Sequence, residues 1–134
     1  MDITYRTDLK PAADDIISLY KSSGIIRPVN DKERIEEMYE HSNLVVTAWD
    51  GKLLVGVGRS LTDHAYCCYM SDLAVRAEYQ QKGIGRRIIE ITKETIGERS
   101  MLLLLSAPGA MEYYPKVGFE QANNAFIIKR ATYK

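Results

Sequence analysis

Two rhythms of apolar and polar residues run through this chain. Asp2-Ile3-Thr4-Tyr5-Arg6-Thr7 alternates at period two, which predicts a first strand with one buried face. Pro11 then opens a helix whose core-facing side is drawn from Ala12, Ala13, Ile16, Ile17 and Tyr20, and Gly24 stops it. An irregular link, Ile25-Ile26-Arg27-Pro28-Val29, leads to Asn30, which is positioned to cap a second helix. Glu33 stands at the capping-box position of that helix, and Ile35, Met38 and Tyr39 face inward. From Asn43 the texture changes to strands. Residues 44–49 and 53–59 flank Asp50-Gly51, a hairpin signal, and Thr62-Asp63-His64 turns the chain into a third strand over residues 65–75. An antiparallel meander is expected.

The pattern reverts to a helical period after residue 83, with Ile84, Ile88, Ile91 or Thr92, and Ile96 on one side and Gly97 at the stop. Met101-Leu102-Leu103-Leu104-Leu105 is then a continuous apolar run, as expected for a strand buried on both faces. Strand, helix, strand predicts a crossover. A short helix over residues 110–116 and final strands at residues 118–120 and 125–130 complete the reading.

The junction before the crossover helix carries the chemistry. Leu73-Ala74-Val75 ends a strand, Gln80-Gln81-Lys82-Gly83-Ile84-Gly85 forms a glycine-bearing loop, and a helix begins at once. A helix N-terminus offers amides without intrahelical partners and the positive end of the peptide dipoles, so it attracts an anion. Arg76, Lys82, Arg86 and Arg87 add positive charge around the loop. A dinucleotide fingerprint would need a third glycine where Ile88 stands, and a nucleotide P-loop would need Gly-Lys-Ser/Thr where Gly85-Arg86-Arg87 stands. Neither fits.

The residues from Gln80 to Gly85 instead resemble the acyl-CoA loop of the GCN5-related N-acetyltransferases: Gln or Arg, two residues, Gly, one residue, Gly or Ala. Downstream, Ala110-Met111-Glu112-Tyr113-Tyr114-Pro115-Lys116-Val117-Gly118-Phe119 is similar to that family's Ala-x-x-x-Tyr-x-x-x-Gly-Phe segment. The order of predicted elements matches the family over nearly the whole chain. The resemblance implies an α/β fold, a mixed central sheet of about six to seven strands with about four helices, in a single domain over residues 1–134. It implies acetyl-CoA as acyl donor, with the pyrophosphate held by amides of Gln81, Lys82, Gly83, Ile84, Gly85 and Arg86, with Gln80 opening the motif. The backbone of Leu73, Ala74 and Val75 would pair with the pantetheine, and Tyr114 would protonate the departing CoA sulfur. Many members carry Asn seven residues before this tyrosine; this chain has Ala107. The reaction so implied is transfer of acetyl to a primary amine of a small molecule or protein by direct attack in a ternary complex. A non-catalytic acyl-CoA-binding module is the rival, and turnover separates them.

Asp72 is the only carboxylate on the strand leading into the loop, which makes it the candidate base, with a water relay or a role in capping the strand end as the alternatives. Arg27, Tyr39, Trp49 and Arg59 are candidate walls of the acceptor site, and Arg27 is suited to a carboxylate or phosphate. His41 and His64 sit beside turns and read as solvated side chains. No cluster has ligand spacing, so no metal is expected.

Composition narrows the partners. Eighteen basic and eighteen acidic residues among 134 balance, which argues against nucleic acid or an anionic membrane as the main partner. The longest apolar run is far too short to span a bilayer. The two cysteines, Cys67 and Cys68, are neighbours that point to opposite faces of a strand, so a bridge between them is not expected, and neither is a covalent acetyl-thiol route. A cytoplasmic protein acting on a small-molecule amine is the expectation, with a homodimer admitted.

Overall fold

The computed structural model describes residues 2–131. The chain groups into two compact units, one up to Leu104 and one from Leu105 onward. In the first, the order is β1 (Ile3–Arg6), α1 (Ala13–Ser23), α2 (Lys32–Glu40), β2 (Leu44–Asp50), β3 (Leu53–Thr62), β4 (Cys67–Val75), α3 (Ile84–Ile96) and β5 (Met101–Leu104). The five strands form one sheet in sequence order. β1 to β4 are antiparallel neighbours, whereas β5 runs parallel to β4, the crossover being made by α3.

Each helix forms where apolar spacing gives it a face to bury. α1 buries Ala13, Ile16, Leu19 and Tyr20, and Gly24 closes it at φ 82°. Ile16 and Tyr20 face inward as expected and Leu19 joins them, whereas Ile17 is only half-buried. α2 is capped by Asp31 rather than Asn30: Asp31 is the residue before the first turn, and its Oδ1 accepts the Arg34 amide at 3.1 Å. These two helices share one cluster with Val45, Leu54, Val57 and Ala74 of the sheet. α3 covers the opposite face, where Ile84, Ile88 and Ile96 meet Leu44, Val46, Ala48, Val55 and Cys68.

Two glycines of β3 set how closely α3 approaches. A β-carbon at Gly58 would stand 2.5 Å from Ile88 Cγ2, and one at Gly56 would stand 3.1 Å from both Ile84 Cγ2 and Ile88 Cδ1. The helix that begins at the glycine loop is therefore seated on bare backbone, which fixes where its N-terminus lies.

β4 changes faces along its length. Arg59 stands opposite Asp72 while Ser60 stands opposite Met70, so Ser71 is an extra residue in β4 at this point. Cys68 belongs to the α3 side and Ala74 to the α1–α2 side, although both have even numbers. A bulge of this kind re-aims the side chains that follow it. Asp72 is thereby delivered to the α1–α2 face.

β5 is half-buried rather than covered on both faces, with Met101 and Leu105 exposed, because it is the last strand of the sheet order. Among the described residues the expected final strands at 118–120 and 125–130 are not formed, so the sheet has five strands. Phe126 and Ile128 are 99% exposed: an apolar run without a paired ladder does not hold as a strand. In the second unit, a 3-10 turn at Pro108–Ala110 precedes α4, Tyr113–Lys116, shorter than the helix expected from residue 110. Gly118, at φ 100°, reverses the chain so that the Phe119 amide bonds to Tyr114 O at 3.1 Å.

Gly58→Ala should destabilise the protein by about 1–3 kcal/mol, since Ile88 must shift to admit the methyl. Thermal unfolding compared with Gly109→Ala, where a β-carbon meets nothing within 4 Å, checks it; the control should change little.

Candidate functional site

The loop between β4 and α3 is fastened at several points. Arg76 bonds through its amide to Val55 O at 2.8 Å, through Nε to Leu54 O at 2.7 Å and through Nη2 to Ser18 Oγ at 3.0 Å. A 3-10 turn, Ala77–Tyr79, follows, and Tyr79 OH donates to Asp50 Oδ2 at 2.6 Å. Gln80 Nε2 donates to Val75 O at 2.9 Å. These contacts hold the loop from β2, β3 and α1 without using its last residues.

Those last residues turn sharply. Gln81 has φ 63° and Gly83, the residue before α3, has φ 84°. Both are left-handed, a region glycine enters freely and glutamine only at a cost. A β-carbon at Gly83 would meet no protein atom within 4 Å, so the space over the turn is open. The amides of residues 84–86 open α3 and have no carbonyl one turn earlier inside the helix to receive them. Of the cations expected here, Arg76 is committed to the scaffold and Arg87 reaches Glu90 and Glu94 at 3.4 and 3.3 Å. Lys82 and Arg86 are exposed beside the turn.

Next to this loop the sheet has an open side. The parallel register of β5 with β4 covers Cys67, Cys68, Tyr69 and Met70 and stops there. Beyond it, Leu73, Ala74 and Val75 pair with Gly58, Val57 and Gly56 of β3, and among the described residues no strand pairs with them on the β5 side. An extended ligand of one strand's length fits such an edge, and its far end would meet the amides of the loop.

A buried polar cluster begins one residue upstream. The Asp72 side chain is fully buried and accepts from Arg27 Nε at 2.6 Å, Arg59 Nε at 2.7 Å and Tyr20 OH at 2.5 Å. Tyr20 and Tyr39 hydroxyls lie 2.6 Å apart; because Tyr20 gives its proton to Asp72, Tyr39 is the donor to Tyr20. Arg59 also reaches Ser42 Oγ at 3.1 Å and Ser71 Oγ at 2.9 Å, and lies over the Tyr39 ring at 5.8 Å. Arg27 spans Ile26 O at 2.6 Å and Ser71 O at 2.7 Å. Burial alone would raise the Asp72 pKa, but hydrogen bonding to Arg59 and the charges of Arg59 and Arg27 outweigh it and hold the carboxyl below its ordinary value. Burial pushes both phenols up, so Tyr20 and Tyr39 stay neutral.

Three of the expected acceptor walls, Arg27, Tyr39 and Arg59, thus meet at Asp72. Trp49 does not join them: its Nε1 donates to Thr47 Oγ1 at 2.7 Å, and it lies four residues along β2 from Val45, the partner of Arg59. Tyr20, read in the sequence as a core residue, is a member of the cluster; a hydroxyl at a fully buried position was the one available signal. Cys67 is exposed and Cys68 buried, neither bridged, and burial raises the Cys68 pKa. In the second unit Tyr114 is half-buried, its ring edge-on to Tyr113 at 5.2 Å and to Phe119 at 5.5 Å. Among the described residues no His, Cys, Asp or Glu group is arranged to hold a metal ion, and no helix is long and apolar enough to cross a membrane.

Comparison with known proteins bears on the fold and the family. Over 71 residues, 52% of this chain, the sequence is 32% identical to the histone acetyltransferase TAP1 of Glycine max, of which the match covers 31%. The chain spans about a third of the length of the curated relatives it matches. Two solved structures share the fold. A protein of unknown function, SA2161, from meticillin-resistant Staphylococcus aureus is 24% identical with a TM-score of 0.82, covering 96% of this chain and 100% of that one. The aminoglycoside N-acetyltransferase AAC(6')-Iy, solved with CoA, is 15% identical with a TM-score of 0.73, covering 98% and 96%. Residues 20–130 match the model of the acetyltransferase (GNAT) domain, and the chain accordingly belongs to the GNAT acetyltransferase family.

Proposed function

We propose that this protein transfers the acetyl group of acetyl-CoA to a primary amine by direct attack within a ternary complex. The observation that carries the reading is the open β5 side of Leu73, Ala74 and Val75, running into the Gly83 turn. Pantetheine amides would pair along that edge, and the pyrophosphate would sit over the amides of residues 81–86. The amine nitrogen attacks the thioester carbonyl, the carbon–sulfur bond breaks, and the amine's proton leaves to water.

Tyr114 is assigned the proton that goes to the departing sulfur, on the strength of its place in the family pattern. A phenol can give a proton to a thiolate within the site even though the thiol is the stronger acid in water. No protein thiol carries the acetyl group in this scheme, in keeping with the burial and raised pKa of Cys68. Asp72 acts as counter-ion and organiser rather than base. A carboxylate already accepting three hydrogen bonds, two from arginines, has lost the proton affinity a base needs.

Three substitutions test these roles. Gly83→Val should weaken acetyl-CoA binding at least tenfold, about 1.4 kcal/mol, through dihedral strain and obstruction of the turn. Calorimetric affinity unchanged in a folded variant would contradict the site.

Tyr114→Phe keeps the ring and removes the hydroxyl. It should lower kcat by about 10²- to 10⁴-fold with little change in acetyl-CoA affinity, whereas Tyr113→Phe should cost far less. Equal, small effects of the two would remove Tyr114 from the chemistry.

Asp72→Asn separates counter-ion from base. As counter-ion its loss leaves two buried guanidiniums unopposed, and stability should fall by about 3–5 kcal/mol in denaturant unfolding. Because the folded pKa lies below the unfolded value near 3.9, Asp72's contribution is present above that value and lost as pH falls through the folded pKa. A variant with wild-type stability and a rate deficit confined to the deprotonation limb would instead mark a base.

A further inference from the structure

The buried cluster around Asp72 does not balance in charge. It contains two guanidiniums, Arg27 and Arg59, and one carboxylate, each arginine joined to that same carboxylate. Among the described residues, the other titratable groups facing it are Tyr20 from α1 and Tyr39 from α2, both held neutral. The remaining contacts are neutral as well: Ser42 and Ser71 hydroxyls and the carbonyls of Ile26 and Ser71. One positive charge is left over at a place largely shielded from water, where an unmatched charge is costly.

The surplus is placed where an acceptor would arrive. Arg27 belongs to the link between α1 and α2, and its side chain is 25% exposed while that of Arg59 is 9% exposed. Arg27 therefore forms the outer wall of the cluster. Through Nη2 it holds Ser71 O, at the bulge where β5 ceases to pair with β4 and the acyl end of the donor would lie. Each guanidinium has five N–H groups and makes three bonds, one per nitrogen, so N–H groups remain on the Nη atoms to receive an anion.

Resting on the acetyl-transfer reading, we infer that the acceptor is an amine that also carries an anionic group, a carboxylate or a phosphate, which docks against Arg27 at the Asp72–Arg59 cluster. The anion offsets the surplus positive charge and orients the molecule, leaving its amine to reach the thioester. An amine of the same size without the anionic group gains neither.

Matched amines provide the test: O-phosphoethanolamine against ethanolamine, and β-alanine against propylamine. Release of CoA thiol is followed for each, together with thermal stabilisation of the CoA-saturated protein by each. The anionic member of at least one pair should be favoured at least tenfold in kcat/KM and should raise the melting temperature where its neutral counterpart does not. Arg27→Gln should abolish that preference mainly through KM, and Arg27→Lys, which keeps the charge, should retain most of it. Neutral amines used as well as their anionic counterparts would overturn the inference and leave acetyl transfer standing. If no amine is acetylated, the transfer reading fails, and the stabilisation arm alone decides whether the cluster takes an anion: no stabilisation by either anionic amine, or the same stabilisation in Arg27→Gln, overturns it.

Discussion

A single carboxylate joins the parts of this fold that have to be held in register. Asp72 on β4 receives Arg59 from the neighbouring strand, Tyr20 from α1 and Arg27 from the link that follows α1, and through Tyr20 it receives Tyr39 from α2. The two helices otherwise meet the sheet mainly through apolar packing, which is tolerant of small slides. Short charge-assisted bonds to one buried atom pair are not tolerant. The arrangement depends on the extra residue at Ser71, because without the bulge Asp72 would face α3, where the cluster is apolar. The bulge also marks where β5 leaves β4. One local irregularity thus turns a carboxylate inward and lies where an edge of the same strand opens.

On the other face the controlling constraint is steric. Gly56 and Gly58 leave no side chain between β3 and the first turns of α3, so the helix sits directly on the sheet and its N-terminus is fixed beside the end of β4. Arg76, Tyr79 and Gln80 fasten the intervening loop to the scaffold. What is left for a ligand is backbone: the turn at Gly83 and the amides that begin α3. The edge and the turn are contributed by consecutive stretches of chain, and in the proposed reading they take the amide chain and the pyrophosphate of the donor in that order.

Much of this was legible in the sequence because it depends on local rules. Asp50-Gly51 marked the β2–β3 hairpin, Gly24 and Gly97 closed their helices, and the two-glycine loop located the start of α3. Arg27, Tyr39, Trp49 and Arg59 were grouped as candidate walls of an acceptor site; Arg27, Tyr39 and Arg59 lie together in the cluster around Asp72 and Trp49 does not. What was not legible depends on pairing between strands. The bulge at Ser71 is invisible in a run whose buried positions, 68, 70, 72 and 74, keep an even period across it. The seat that Gly56 and Gly58 offer to α3 depends on which helix packs on that face, which the strand's own residues do not state. The apolar run at residues 125–130 suggested a strand, but apolar character supplies a face and not a partner ladder, and among the described residues none pairs with it.

The central claim is group transfer rather than cofactor binding alone, and stoichiometry tests it most directly. With acetyl-CoA and a panel of amines, release of CoA thiol should depend on the amine and should equal, mole for mole, the acetylated amine found by mass spectrometry. Tight acetyl-CoA binding with thiol release no faster than background for every amine would contradict the account and identify a protein that holds the cofactor without using it.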